Sequence, residues 1–364
     1  MKIAIVHDWL TNMGGAERVI LAFHEIFPDA PIYTTVFNPD RLPDEFKKID
    51  VRTSFIQRLP KAKTKYNMYL PFMPTAFEQF DLSEYDIVLS SSSSCAKGVL
   101  TRPDTLHICY CHTPMRYAWD FYNEYKESAA KWQKKFIPFL MNYIRMWDRL
   151  SADRVDYFIA NSNEVAKRIK KHYRRESVVI NPPVNTDFYT LVDEDEDYFL
   201  IVSRLVEYKR IDIAVEAFND LGLPLIIIGD GPEKERLQKM AKNNIKFLGR
   251  LPDEKVKAYY AKCRAFIFPG EEDFGITPLE AQASGRPVIA FGKGGILDSV
   301  VDGVTGIFFR EQNKESLKEA VNKFDKINFD KKIIRKHAEE FDIKIFKEKI
   351  YEFVLNKYRE FIGD

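Results

Sequence analysis

The 364-residue chain has no apolar run long enough to span a bilayer, and its opening residues, MKIAIVHDWL, carry no apolar leader. A cytoplasmic protein is expected, free or at the inner face of the membrane. Cysteine is scarce. Cys95, Cys109, Cys111 and Cys263 do not make a disulfide framework in a chain of this length, so reduced, half-buried thiols are expected. Excess charge is missing too. The 55 Lys+Arg against 54 Asp+Glu leave a net charge of +1, which argues against a nucleic-acid partner. That balance hides an asymmetry, since residues 1–185 hold 26 basic against 21 acidic side chains and the remainder holds 29 against 33.

Three chemical signatures are absent as well. No G-x-G-x-x-G follows the first strand, which disfavours an NAD-dependent dehydrogenase. No G-x-S-x-G surrounds the serine run at 90–94, so that run reads as a turn and helix cap feeding 95–100, not as a nucleophile. No Asp-x-Asp stands where a cation would be useful: the acidic run 193–197 reads as a solvated turn. Neither a metal nor another cofactor is expected.

What is present is alternation. Short apolar runs at 2–8, 32–37, 87–92, 105–111, 157–161 and 178–181 read as strands separated by helical or loop stretches. A second series follows at 198–203, 225–231, 245–250, 265–269 and 287–291. Such β/α alternation predicts parallel sheets wrapped by helices, and the length suits two α/β domains. The proline-bearing segment VVINPPVNTDFY, 178–189, reads as the last strand of the first half and a linker. The expected division is 1–186 with a closing helix at about 346–364, and 187–345.

The most informative stretch is 268–285, FPGEEDFGITPLEAQASG. A strand end crosses a loop into a short helix, with Thr277 expected as N-cap, Pro278 at the first helical position and Gly285 just past the end. Glu272 and Glu280, seven residues apart in the intervening count, bracket this loop at the strand-end crevice where open α/β sheets take ligands. A carboxylate there suits hydroxyl donors. Thr277 and Glu280 also fit a capping box, in which Glu280 bonds only backbone, and the residues alone leave both readings open.

Other candidates sit at similar strand ends. Gly14 and Gly15 in TNMGGAE let backbone amides approach a ligand at a helix start, and equally suit a plain tight turn. His112 in YCHTPMRYAWD follows a strand. Arg204 and Lys209 flank a strand-to-helix turn, where two cations and a helix N-terminus can neutralise a diphosphate.

These motifs, spread over both halves, resemble those of retaining glycosyltransferase family 4: GG-x-E, the HTP histidine, NPP/V-x4-F, R-x4-K and Glu-x7-Glu. The HTPMRYAWD stretch is similar to bacterial O-antigen and polysaccharide mannosyltransferases dependent on GDP-mannose. The resemblance implies the GT-B fold, two facing Rossmann-like domains with an interdomain cleft. It implies that Glu272 contacts sugar hydroxyls, that Glu280 holds the ribose, and that His112 lies against the donor sugar. Gly14 and Gly15 would lie beside the diphosphate and sugar, Arg204 and Lys209 would hold the pyrophosphate, and Arg250 would stand near the base. The loop amides at Phe274, Gly275, Ile276 and Thr277 would add charge stabilisation. His112, Glu272, Arg204 and Lys209 are the catalytic candidates, and Arg116, Tyr117 and Trp119 would line the acceptor side.

The implied activity is a retaining, metal-independent transfer of a hexose, mannose from GDP-mannose, onto a lipid-linked or oligosaccharide acceptor in cell-surface polysaccharide synthesis. A sugar-nucleotide epimerase of similar architecture and a non-catalytic glycan- or nucleotide-sugar-binding protein are the alternatives. Two basic, aromatic-bearing segments, 41–65 and 131–149, suit peripheral contact with an anionic membrane, or else core elements with a solvated basic face.

Overall fold

The computed structural model describes residues 1–129 and 133–363. The chain forms two compact units, Met1–Asn181 with Lys347–Asp364, and Pro182–Phe346. The first boundary, expected at 186/187, falls at 181/182 because the proline segment pairs with the second unit. Val184 donates its amide to Phe341 O at 3.0 Å and accepts from the Ile343 amide at 3.0 Å, and the Thr186 amide donates to the Asp342 carboxylate at 3.1 Å.

In the first unit, β1 (Ile3–His7), β2 (Ile32–Thr34), β3 (Val51–Thr53), β4 (Ile87–Ser92), β5 (Leu106–Cys111), β6 (Tyr157–Ala160) and β7 (Ser177–Val179) form one sheet. Its order is β3-β2-β1-β4-β5-β6-β7, with parallel pairing throughout. In the second, β8 (Phe199–Val202), β9 (Leu225–Ile228), β10 (Ile245–Gly249), β11 (Ala265–Phe268), β12 (Val288–Phe291) and β13 (Gly306–Phe309) run β10-β9-β8-β11-β12-β13, again parallel. The central strands are continuous apolar runs, buried at every position in β1, β4, β5, β11 and β12, because helices cover both faces. In each sheet the order reverses once, at β1/β4 and at β8/β11. Ligands of open α/β sheets bind at the carboxyl end of such a reversal.

Two strands escape the sequence reading, β3 and β13. Each is a sheet edge of three or four residues, and β3 is exposed or half-buried along its length, so neither shows a full apolar run. β3 also lies within 41–65. That segment is no basic helix: it is short turns around an edge strand, and Ile56 is fully buried in the core with Leu59 packed against it. The serine run is corrected too. Ser90, Ser91 and Ser92 end β4, buried, and the turn after them is capped by Asp8, which accepts from the Ser93 amide at 2.6 Å and the Ala96 amide at 2.8 Å.

The helix Ile137–Ala152 buries Ile137, Met141, Ile144 and Trp147. Phe136, Phe139, Tyr143, Met146 and Leu150, spaced by three and four, line an exposed face. Lys131 and Trp132 of the predicted 131–149 segment lie outside the described residues. Beneath this helix is a buried ion pair between Lys97 and Asp148, with Asp148 also accepting from Tyr173 Oη at 3.0 Å. The closing helix, Ile343–Ile362, packs its later turns on the first unit. Lys347 Nζ lies 2.9 Å from Glu25, and Phe353 meets Tyr157 edge-on. No helix among the described residues is long and apolar enough to cross a membrane.

Candidate active site

In the second unit the candidates gather at the β8/β11 reversal. Ser203 to Val206 leave β8, a single turn spans Glu207–Lys209, and Arg210 starts the helix Ile211–Leu221 in the left-handed region at φ 51°. From the neighbouring strand, Gly270 to Phe274 lead into the helix Ile276–Ala283. Lys209 and Glu272, from these two loops, form an ion pair, with side chains only 15% and 19% exposed. Such partial burial strengthens the attraction relative to a surface pair. They line one shallow pocket with Ser203, Pro269 and Gly270.

The Glu272 loop is held by backbone. The Gly295 amide donates to Glu272 O at 2.9 Å, and a Cβ on Gly295 would stand 2.0 Å from Asp273 O, so only glycine permits this approach. Thr277 is not the N-cap. Gly275 is, at φ 89°, where the missing Cβ leaves room for the Phe268 ring. Thr277 and Pro278 therefore lie inside the first turn, and no Thr277–Glu280 capping box forms. Glu280 is buried instead and accepts from Tyr260 Oη at 2.8 Å, with the Tyr260 ring fully buried. The exposed Ile276 and Thr277 edge of this helix start lies beside Phe274, which is buried. Arg204 is exposed on the loop after β8, and Arg250 is exposed just past Gly249 at the end of β10. Among the described residues no three His, Cys, Asp or Glu side chains gather as metal ligands. Asp195 of the acidic run faces Arg286 and Lys331.

In the first unit the candidates lie at the β1/β4 reversal. Gly14 caps the helix Gly15–Ile26, and both glycines are exposed at its N-terminus, where the helix dipole favours anions. His112 follows β5. Its amide donates to Ser92 O at 2.9 Å, its Nε2 lies 2.7 Å from Ser91 Oγ, and the Tyr110 ring meets it edge-on at 5.2 Å. Burial, and then the nearby His7, push its pKa down to about 3, so the ring is neutral at physiological pH.

The acceptor-side candidates are tied into the same unit. Trp119 donates its indole N–H to Asp148 at 2.7 Å and stacks on His172. Tyr117 Oη lies 2.7 Å from Ser94 Oγ, and the Arg116 guanidinium stands over the Phe121 ring at 4.1 Å. Sequence reasoning missed His7, Asp8, Glu17, Ser91 and Tyr260. The available signal for the first two was the polar pair ending an otherwise apolar strand, IAIVHD, which is where a parallel sheet meets solvent and ligand.

Two family descriptions match this chain: Glycosyltransferase Family 4 over residues 13–188 and Glycosyl transferases group 1 over residues 185–341. The uncharacterized glycosyltransferase MJ1178 of Methanocaldococcus jannaschii is 28% identical over 59% of this chain and 63% of its own length, so the match spans less than two thirds of that relative. The alpha-1,3/1,6-mannosyltransferase ALG2 of Dictyostelium discoideum is 26% identical over 90% of this chain and 89% of its own. A GDP-mannose-dependent alpha-mannosyltransferase of Corynebacterium glutamicum is 38% identical over 29% of this chain and 26% of its own. Among solved structures, Anabaena Alr3699/HepE, in complex with UDP, superposes with a TM-score of 0.73 at 18% identity over 98% of this chain and all of that one, a likeness of fold.

Proposed function

This chain belongs to glycosyltransferase family 4, with the two-domain GT-B fold, and on that premise we propose that it is a retaining mannosyltransferase using GDP-mannose. The observation that carries the reading is the Lys209–Glu272 pair at the β8/β11 reversal, beside a helix N-terminus. One cation and one carboxylate, held together in a shallow pocket, are the groups that a diphosphate and a sugar hydroxyl would separate and engage. Arg204 adds a second cation, and the Gly14, Gly15 and Phe274 to Thr277 backbones add amides. Glu280, oriented by Tyr260, takes the ribose, Arg250 stands toward the base, and His112 meets the donor sugar. The relatives named for GDP-mannose and for mannosyl transfer support the donor.

The chemistry then asks little covalent work of the protein. The bond from the anomeric carbon to the diphosphate oxygen breaks, a bond to the acceptor hydroxyl oxygen forms, and the acceptor proton passes to a donor phosphate oxygen on the same face. Preorganised cations and amides stabilise the departing charge without a divalent ion. The acceptor is lipid-linked or an oligosaccharide of cell-surface polysaccharide, and the apolar face of Phe136, Phe139, Tyr143, Met146 and Leu150, with Lys134, Lys135 and Arg149 near it, is the surface that would lie in an anionic bilayer. Epimerase and binding-protein readings lack a comparable observation.

The test is incubation with GDP-mannose, UDP-sugars and lipid-linked or oligosaccharide acceptors. Transfer from GDP-mannose with an α-linked product, unaffected by a chelator, is the expected result. Turnover of none of these donors, or a β-linked product, would refute the proposal. Flotation with anionic but not neutral vesicles tests the membrane face.

A further inference from the structure

The His112 ring is the end of a buried chain of polar groups that the family motifs do not include. Ser91 Oγ, 2.7 Å from His112 Nε2, is also 3.2 Å from His7 Nδ1. His7 and Ser91 are register partners at the ends of β1 and β4, so the sheet itself sets this approach. His7 Nδ1 lies 3.1 Å from Ser91 O as well, and His7 Nε2 lies 3.8 Å from Glu17 Oε1 in the first turn of Gly15–Ile26. His7, Ser91 and Glu17 are all buried.

The roles of these groups follow from what each atom can do. A backbone carbonyl only accepts, so the proton between His7 and Ser91 O is on His7 Nδ1. The Ser91 hydroxyl therefore shows that nitrogen a lone pair and has its single O–H left for His112 Nε2, its shortest contact. That makes Nε2 an acceptor. In a neutral ring the remaining proton is then on Nδ1, for which no hydrogen bond is found among the described residues. At the other end, Glu17 offers a carboxylate to His7 Nε2, so both nitrogens of His7 face acceptors.

We propose that Glu17, His7 and Ser91 are a positioning relay that fixes the His112 proton on Nδ1, so that His112 meets the donor sugar as a hydrogen-bond donor and not as a base. This rests on the reading that His112 faces the donor sugar. The low pKa of His112 agrees with a ring kept neutral beside His7. The relay fixes which nitrogen carries the proton, a choice that burial alone leaves open. Gly14, whose Cα lies against Glu17 Oε2, ties the relay to the glycine loop: a Cβ there would stand 3.0 Å from that oxygen.

The test is a long-range ¹H–¹⁵N spectrum of the full chain at neutral pH, with His112 assigned by its loss in His112→Asn. The wild type is expected to show a protonated Nδ1 and a bare Nε2. Ser91→Ala is expected to populate both tautomers and to lower kcat with GDP-mannose about tenfold with KM for the donor little changed, as misplacing one contact does. Ser91→Thr, which keeps the hydroxyl, is expected to restore both. Glu17→Gln, a milder change on a helix turn, is expected to shift the His112 signals in the same direction as Ser91→Ala. A proton on Nε2 in the wild type, or a tautomer unmoved by Ser91→Ala and Glu17→Gln alike, overturns the relay. The spectra need no nucleotide sugar, so they stand apart from the donor reading. Full transfer by His112→Asn overturns that reading, and with it the donor-facing role of the ring.

Discussion

The two sheet reversals share a topology and differ in what fills them. At β1/β4 the strand ends carry short neutral or paired side chains, and Asp8, His7, Ser91 and His112 are joined by hydrogen bonds inside one wall. At β8/β11 the groups are a cation and a carboxylate from two loops, held by backbone contacts and open to a pocket. The first arrangement orients a ring. The second holds charge ready for an anion. In an α/β unit the reversal supplies only the location, and the side chains there decide whether the edge positions or neutralises.

Breaking the support beneath the first edge should give the largest effect. Lys97→Met leaves Asp148 buried without its cation, and a loss of about 3–5 kcal/mol in unfolding free energy is expected from denaturant titration. The second edge should respond in turnover instead. Glu272→Ala and Lys209→Met are each expected to lower kcat/KM by about 10²–10³ with little change in melting temperature, since each removes a preorganised charge contact.

Next comes Gly295→Ala. Its Cβ would collide with Asp273 O, so the Glu272 loop must shift, costing up to about 3 kcal/mol and weakening donor binding in a titration. The smallest effect sharpens the contrast through pH. His107, fully buried beside Ser90, has a pKa pushed down by burial from 6.5 to about 4. Between those values the unfolded chain binds a proton that the folded chain refuses, so stability is complete above pH 6.5 and is lost as pH falls toward 4. From pH 7 to pH 5 the wild type should lose about 2 kcal/mol more than His107→Gln, read from urea midpoints.

Much of this was legible in the residues. Eleven of the strands show as apolar runs, because a strand covered on both faces has no polar side to blur it. β3 and β13 did not show, since an edge needs burial on fewer sides. At the site, Lys209 and Glu272 were legible as charges at strand ends, and their pairing was not, because it joins loops 63 residues apart in number. The helix start was misplaced by two residues: Thr277 is a good cap by type, but Gly275 at positive φ takes the turn that the Phe268 ring leaves open. The His7–Ser91 approach depends on strand register, which periodicity in a single sequence does not reveal. The two-sided helix Ile137–Ala152 was seen only as basic and aromatic; its exposed apolar stripe needed the buried face to be known first.

The central claim, that Lys209 holds phosphate charge while Glu272 holds the sugar, is tested most directly by calorimetric titration of GDP and GDP-mannose into the wild type, Lys209→Met and Glu272→Ala. The account predicts that Lys209→Met weakens both ligands alike, and that Glu272→Ala leaves GDP bound but abolishes the preference for GDP-mannose. Equal binding of both ligands by all three proteins would contradict it.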